Sequence, residues 1–223
     1  MIAYRIEVIA PTASFRHPTL VSSYQPTLPV PPVSTILGIF SSVTGKWVEP
    51  KDYVFGYVFH RRQFYVDLET IYKTEGILSR NNTMKVEPDI VRREIFFEPI
   101  LFIYVKDNSL VRAFKTPHYP LLLGRSSDLA TVKSISQVTL SLSDESCLYG
   151  TAIPFERGSK MVPGRLQALP TYFENTLPRK PKEVKPYLLI YEPQKTDGKH
   201  LCDPELSMRL GFKNQQIGVY FYE

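Results

Sequence analysis

The sequence predicts an α+β protein that is richer in strand than in helix, and three observations carry that reading. Residues 2–10 alternate Ile2, Tyr4, Ile6 and Val8 with Ala3, Arg5 and Glu7, the pattern of a strand with one buried face. The proline-led segment LPVPPVSTILGIFSSVTG, Leu28 to Gly45, places Val33, Ile36, Leu37, Ile39, Phe40 and Val43 at helical spacing on one apolar face. Several later runs are rich in aromatic and β-branched residues and bounded by prolines or glycines, as strands are.

Pro11 ends the first strand, and the hydroxyl-rich stretch 12–27, with Ser14-Phe15-Arg16-His17-Pro18, reads as a loop. Pro29, Pro31 and Pro32 then pre-set φ for the helix start, Ser34 and Thr35 can satisfy first-turn amides, and Gly45 suits a left-handed C-cap. The free amides and dipole at that N-terminus favour anions. A strand, a loop and a helix that packs back on the sheet begin a βαβ crossover.

Residues 52–70 read as a hairpin of two aromatic strands, with Tyr53, Phe55, Tyr57 and Phe59 on one face and His60-Arg61-Arg62-Gln63 at the turn. The polar stretch 72–93, with its Asn81-Asn82 turn, reads as a projection from the body. Residues 94–105, EIFFEPILFIYV, read as one strand with a bulge or edge at Pro99. Residues 111–132 show neither period; Pro117 and Pro120 bracket His118-Tyr119, and Gly124-Arg125-Ser126-Ser127 forms a small-residue turn beside a cation. Further strands are expected at 135–143, 187–191 and 217–222. Residues 1–140 and a β-rich part, 141–223, packed on them are the expected organisation.

With 43% hydrophobic and 22% charged residues the chain is an ordinary globular protein, long enough for a sizeable core. A net charge of +5 tilts weakly toward polyanions, so clustering of the cations matters more than their sum. Cys147 and Cys202 lack metal or redox spacing and read as buried apolar groups in a reducing compartment. Neither a signal-peptide pattern nor a membrane-length apolar run is seen, so a soluble cytoplasmic protein with no membrane partner is expected.

No phosphate-binding GxxxxGK[ST] loop, GxGxxG, HExxH or GxSxG motif occurs. His17, His60, His118 and His200 are scattered and read as loop or surface residues, and acidic residues form no metal-type pair. Neither a catalytic residue, a metal nor a cofactor is expected. What the sequence does offer is groups for phosphates and bases: Arg16, the amides at Ser34-Thr35, Arg61-Arg62, Arg92-Arg93 and Arg125-Ser126, with Phe15, Phe114 and Tyr119 beside cations. Any one such arginine, taken alone, usually only solvates a face.

Taken together, Ser14-Phe15-Arg16-His17-Pro18, the proline-led helix and TPHYPLLLGRSSDLATV resemble the fifth family of CRISPR-associated proteins, of the RAMP superfamily and type I-B-like. The resemblance covers most of the first 135 residues. It implies a ferredoxin-like, RRM-like domain with a β-hairpin thumb, at about 72–93, and a β-rich C-terminal extension. It also implies a non-catalytic subunit of a Cascade complex that caps the 5′ handle of crRNA. The implied partners are that handle, the backbone subunit beside it and the large subunit, through which target DNA near the PAM is an indirect partner. On this chain the resemblance points to Arg16, Ser34, Thr35, Arg92, Arg93, Lys115, His118, Arg125 and Ser126 as RNA-binding, and Arg125→Ala is expected to weaken binding without unfolding the protein. Two rivals remain: a metal-independent endoribonuclease that cuts repeat RNA with Lys115, His118 and Tyr119, and an unrelated binder of single-stranded RNA.

Overall fold

A computed structural model describes residues 1–20, 23–75, 85–158, 162–196, 198–212 and 215–223. In its first half the chain forms β1 (Ile2–Ile9), β2 (Thr12–Ala13), β3 (Tyr24–Gln25), α1 (Val33–Thr44), β4 (Phe55–His60), β5 (Gln63–Glu75), β6 (Lys85–Phe97), β7 (Ile100–Val105) and α2 (Asn108–Lys115). Next come β8 (Leu121–Leu122), β9 (Leu129–Thr139), β10 (Ser141–Ser143), β11 (Ser146–Leu148), β12 (Thr151–Pro154), α3 (Phe155–Gly158) and β13 (Arg165–Phe173). The last elements are β14 (Pro181–Ile190), β15 (Gln194–Lys195), β16 (His200–Cys202), α4 (Leu206–Leu210), β17 (Gln216–Val219) and β18 (Phe221–Tyr222).

The main sheet runs β18-β4-β7-β1-β9-β8. β1 lies antiparallel between β7 and β9, and β4 is antiparallel to β7 on its other side. Two interleaved units result, β1-α1-β4 and β7-α2-β9, with the expected crossover helix α1 in the first. All six predicted apolar positions of α1 are buried, and Gly45 ends it in the left-handed conformation at φ 69°. Phe40 meets Phe55 edge-on at 5.0 Å and Phe114 of α2 at 6.1 Å. Sequence reading missed α2, although its signal was present: Asp107 accepts the amide protons of Ser109 and Leu110 as an N-cap.

The first strand is buried on both faces rather than one. Ile6 and Val8 join the core beneath α1 and α2, while Ala3 joins a second cluster with Leu206, Leu210, Ile217 and Val219 from the C-terminal part. The polar positions survive this burial by pairing. Arg5, 2% exposed, donates to Asp203 at 2.6 Å and Glu205 at 2.7 Å, and the Tyr104 hydroxyl donates to Asp203 at 2.9 Å. Glu7, 3% exposed, accepts from Lys133 at 2.8 Å, Ser134 at 3.1 Å and Arg209 at 3.1 Å. Alternation alone marks which residues share a face, not whether that face is covered.

Other expectations change for similar reasons. β4 does not pair with β5: Phe55 to Phe59 keep their common face, but β4 bonds to β7 and β18, and the chain leaves the sheet after His60. The stretch 94–105 is two strands in two sheets, because Glu98 at φ 45° and Pro99, which has no N–H to donate, break it. β5 and β6 form the projecting hairpin, registered from Gln63↔Phe97 to Glu75↔Lys85. At its base Val91, Ile95 and Phe96 are buried while Phe64, Val66, Leu68 and Phe97 are exposed, as are Tyr72, Val86 and Ile90 farther out. The expected Asn81-Asn82 turn lies outside the described residues.

β12, β14 and β13 form a separate sheet whose Ala152, Leu169, Tyr187 and Leu189 belong to the same core as α1, and β18 extends the main sheet beside β4. The expected boundary at 140 therefore falls where one core runs across it. Cys147 and Cys202 are buried free thiols. The histidines depart from their surface reading: His17 and His200 are buried and His60 is half-buried, each with its pKa lowered by burial, and only His118 is exposed. No helix among the described residues is long and apolar enough to cross a membrane.

Candidate nucleic-acid interface

Three segments meet at the start of α1. In the first, Phe15 is buried against Phe59 and Phe96, at ring distances of 5.2 and 6.1 Å. Its amide donates to Thr27 Oγ1 at 2.8 Å and its carbonyl accepts from the Leu28 amide at 2.8 Å. With Phe15 anchored, Arg16 is left exposed, and it forms no ion pair among the described residues.

The second segment is the proline run. Tyr57, fully buried, donates its hydroxyl to the Pro31 carbonyl at 2.6 Å and accepts from the Ala152 amide at 3.0 Å, which ties the helix start to the sheet. Pro32 is the N-cap and no side chain caps the helix, so Ser34 and Thr35 do not play the capping part expected of them. Only Thr35 N–H turns back, to Pro32 O at 2.9 Å. The side chains of Ser34 and Thr35 line an open cleft instead.

The third segment is the turn 124–128. Gly124 has φ 114°, and a Cβ there would stand 2.2 Å from the Ser14 carbonyl oxygen. Only glycine lets this turn lie directly on the backbone that leads to Arg16. The turn is pinned by Asp128, whose carboxylate accepts from the Arg125 amide (3.1 Å), Arg125 Nε (2.9 Å), Arg125 Nη2 (2.8 Å) and Thr12 Oγ1 (2.7 Å). Burial pushes the Asp128 carboxyl up, but Arg125 and Thr12 outweigh it and hold it below the usual carboxylate range. Arg125 also pairs with Glu69 of β5, and Glu69 accepts from Arg93 Nε at 2.7 Å. Gly124→Ala is expected to cost about 2 kcal/mol through backbone strain and steric clash. A wild-type urea midpoint in that variant would mean that the turn is not seated on Ser14.

The result is a cleft of about 720 Å³. It gathers Arg16, Ser34, Thr35, Arg93, Arg125 and Ser126, as the sequence grouped them, and adds Ser127, Glu69 and, from β13, Leu169, Pro170 and Phe173. The hydroxyls of Ser34, Thr35, Ser126 and Ser127 have no hydrogen-bond partner among the described residues. Arg92 is exposed next to Arg93 on β6 and lies outside the cleft, as does exposed Lys115 at the end of α2. His118 lies at the other end of α1: its amide donates to Val43 O at 3.0 Å and its ring covers Gly45, 2.6 Å from where a Cβ would be. The β13 residues carried no local sequence signal, since chain topology alone brings them here.

Chemically, the cleft offers the guanidinium of Arg16, unpaired among the described residues, those of Arg93 and Arg125 held by Glu69 and Asp128, free hydroxyl donors and the open first turn of a helix. That set suits phosphate and sugar oxygens. No cluster among the described residues could hold a metal ion.

No protein-family model matches the sequence, and no curated protein does. Solved structures do match it in fold. A chain of a CRISPR RNA-guided surveillance complex aligns at TM-score 0.54 and 12% identity, covering 86% of this chain and 90% of that one. A chain of a type III-B Cmr-β complex, bound to cognate target RNA and AMPPnP, aligns at TM-score 0.56 and 14% identity, covering 86% of each. This chain therefore has a mixed α+β, strand-rich fold similar to that of a chain of a CRISPR RNA-guided surveillance complex and of a chain of type III-B Cmr-β.

Proposed function

We propose that the chain is a non-catalytic subunit of a type I CRISPR effector complex that binds and caps the 5′ handle of crRNA. In this reading the β1-α1-β4-β7-α2-β9 order is a ferredoxin-like core, and the β5–β6 hairpin is the thumb beside the backbone subunit. The observation that supports it best is the cleft at the start of α1, where arginines and unpartnered hydroxyls from three separate segments converge. The fold similarity to chains of those two complexes supports the same reading, and the sequence resemblance carries the choice of type I and of the large subunit as a further partner. The handle's phosphates meet Arg16, Arg93 and the first turn of α1, with Ser126 and Ser127 donating to phosphate or sugar oxygens.

Arg16 is the direct test, because it lines the cleft without an ion pair to lose. Arg16→Ala is expected to weaken RNA binding severalfold and to reduce the salt slope of log K by about one, with an unchanged melting temperature. Binding measured across a salt series gives both quantities. An unchanged slope would remove Arg16 from the phosphate contacts.

A further inference from the structure

A second groove runs beside the first, along the exposed side of α1. It encloses about 770 Å³ and shares Ser34, Ser126 and Phe173 with the cleft, so the two are continuous. Its floor is made of small residues of the helix, among them Gly38, where an added Cβ would meet nothing within 4 Å. Its walls are aromatic. Tyr119 is 57% exposed, Trp47 is half-buried with the Arg179 guanidinium 5.3 Å from its ring centroid, and Tyr172 lies beyond them. No aspartate or glutamate lines it.

These features belong together chemically. The exposed Tyr119 ring and the accessible part of Trp47 beside an unfilled floor leave apolar surface that an aromatic guest would cover, and a strand of phosphates meets no carboxylate on the way in. Stacking on Trp or Tyr with a guanidinium alongside is how proteins take up bases of single strands without reading their sequence. The cleft at the start of α1 has the complementary character, with cations and hydroxyls for a backbone. A strand whose phosphates lie in the cleft would turn its bases along the helix.

We propose that this groove is a base-stacking site, in which Tyr119 and Trp47 hold unstacked nucleobases of the single-stranded RNA whose phosphates occupy the adjoining cleft. The proposal rests on the RNA-binding reading above and adds to it a binding surface on the side of α1, made by residues outside the cleft.

Trp47 is the only tryptophan of the chain, so its fluorescence reports on the groove directly. The probes are an oligouridylate of about ten nucleotides, within the usual span of a single-strand site, and an abasic chain of the same length. Each carries an end label, so that anisotropy reports binding independently of Trp47. The expected result is that oligouridylate quenches Trp47 and the abasic chain does not. Tyr119→Ala should lose about tenfold in affinity for oligouridylate and little for the abasic chain. Gly38→Leu, which fills the floor from an exposed helical position and improves helix propensity, should lose the quenching while remaining folded. Oligouridylate that binds by anisotropy without changing Trp47 fluorescence, or that binds Tyr119→Ala as well as wild type, overturns the groove and leaves the cleft standing. Failure of both probes to bind overturns the two together. Quenching that survives Gly38→Leu also overturns the groove as the place where bases lie.

Discussion

Arg5→Ala is expected to remove about 3–5 kcal/mol of stability, the range for stripping one partner from a buried ion pair. The reason is Asp203: its side chain is 0% exposed and its charge is met by Arg5 at 2.6 Å. Once the guanidinium is gone, a buried carboxylate keeps only the Tyr104 hydroxyl and the Glu205 amide. Because Asp203 and Glu205 precede α4, the loss falls on the contact between the C-terminal segment and the main sheet. Thermal unfolding should show a midpoint lower by roughly 10 °C for a chain of this size. A double replacement, Arg5→Met with Asp203→Leu, should recover part of that loss, since no buried charge is then left unpaired: half-exposed Glu205 keeps Arg209, while the Tyr104 hydroxyl loses its acceptor. If the single and double variants unfold at the same temperature, the pair is not what joins the segment to the sheet.

Arg125→Ala is expected to destabilise the protein by about 3 kcal/mol, toward the low end of the same range because the Arg125 side chain remains 20% exposed. The structure therefore changes what the sequence suggested, a binding residue that could be removed without structural consequence. Arg125 neutralises a fully buried Asp128 and, through Glu69, joins the 124–128 turn to Arg93 on the hairpin. The pH dependence has a definite sign. With its folded pKa lowered, the Asp128 carboxylate contributes stability that is complete above its ordinary titration near pH 4 and is lost as pH falls through the lowered value. Wild-type protein should show this acid-limb loss and Arg125→Ala should show less of it. An Arg125→Ala variant with the wild-type midpoint and the wild-type acid limb would contradict the linkage. RNA binding should fall in this variant as well, but with a lowered melting temperature, which separates it from Arg16→Ala.

How much of this was legible depended on whether the information was local. The apolar face of α1, its left-handed cap at Gly45 and the shared face of Phe55, Tyr57 and Phe59 all follow from spacing within a few residues, and the structure has each of them. The grouping of Arg16, Ser34, Thr35, Arg125 and Ser126 was readable from residue type, as cations and hydroxyls at loops and element ends, and the family resemblance joined those distant segments into one site. What could not be read was pairing between segments. Nothing near residue 60 says that β4 will bond to β7 rather than β5, or that Arg5 and Glu7 will be covered by residues some two hundred positions later. Arg125 looked like a free cation for the same kind of reason. Asp128 is visible three residues on, but its burial, and the approach of Glu69 from the hairpin, exist only in the folded chain. Helix α2 is different, because its Asp107 cap was local and could have been read.

In the capping role proposed above, the cleft at the start of α1 receives one defined RNA end. The test is to express the chain with the other subunits of the effector complex proposed for it and to sequence the 5′ ends of the RNA that co-purifies. The expected result is a single common, repeat-derived 5′ end that is depleted by Arg16→Ala. Heterogeneous ends, or RNA whose recovery is indifferent to Arg16, would contradict it.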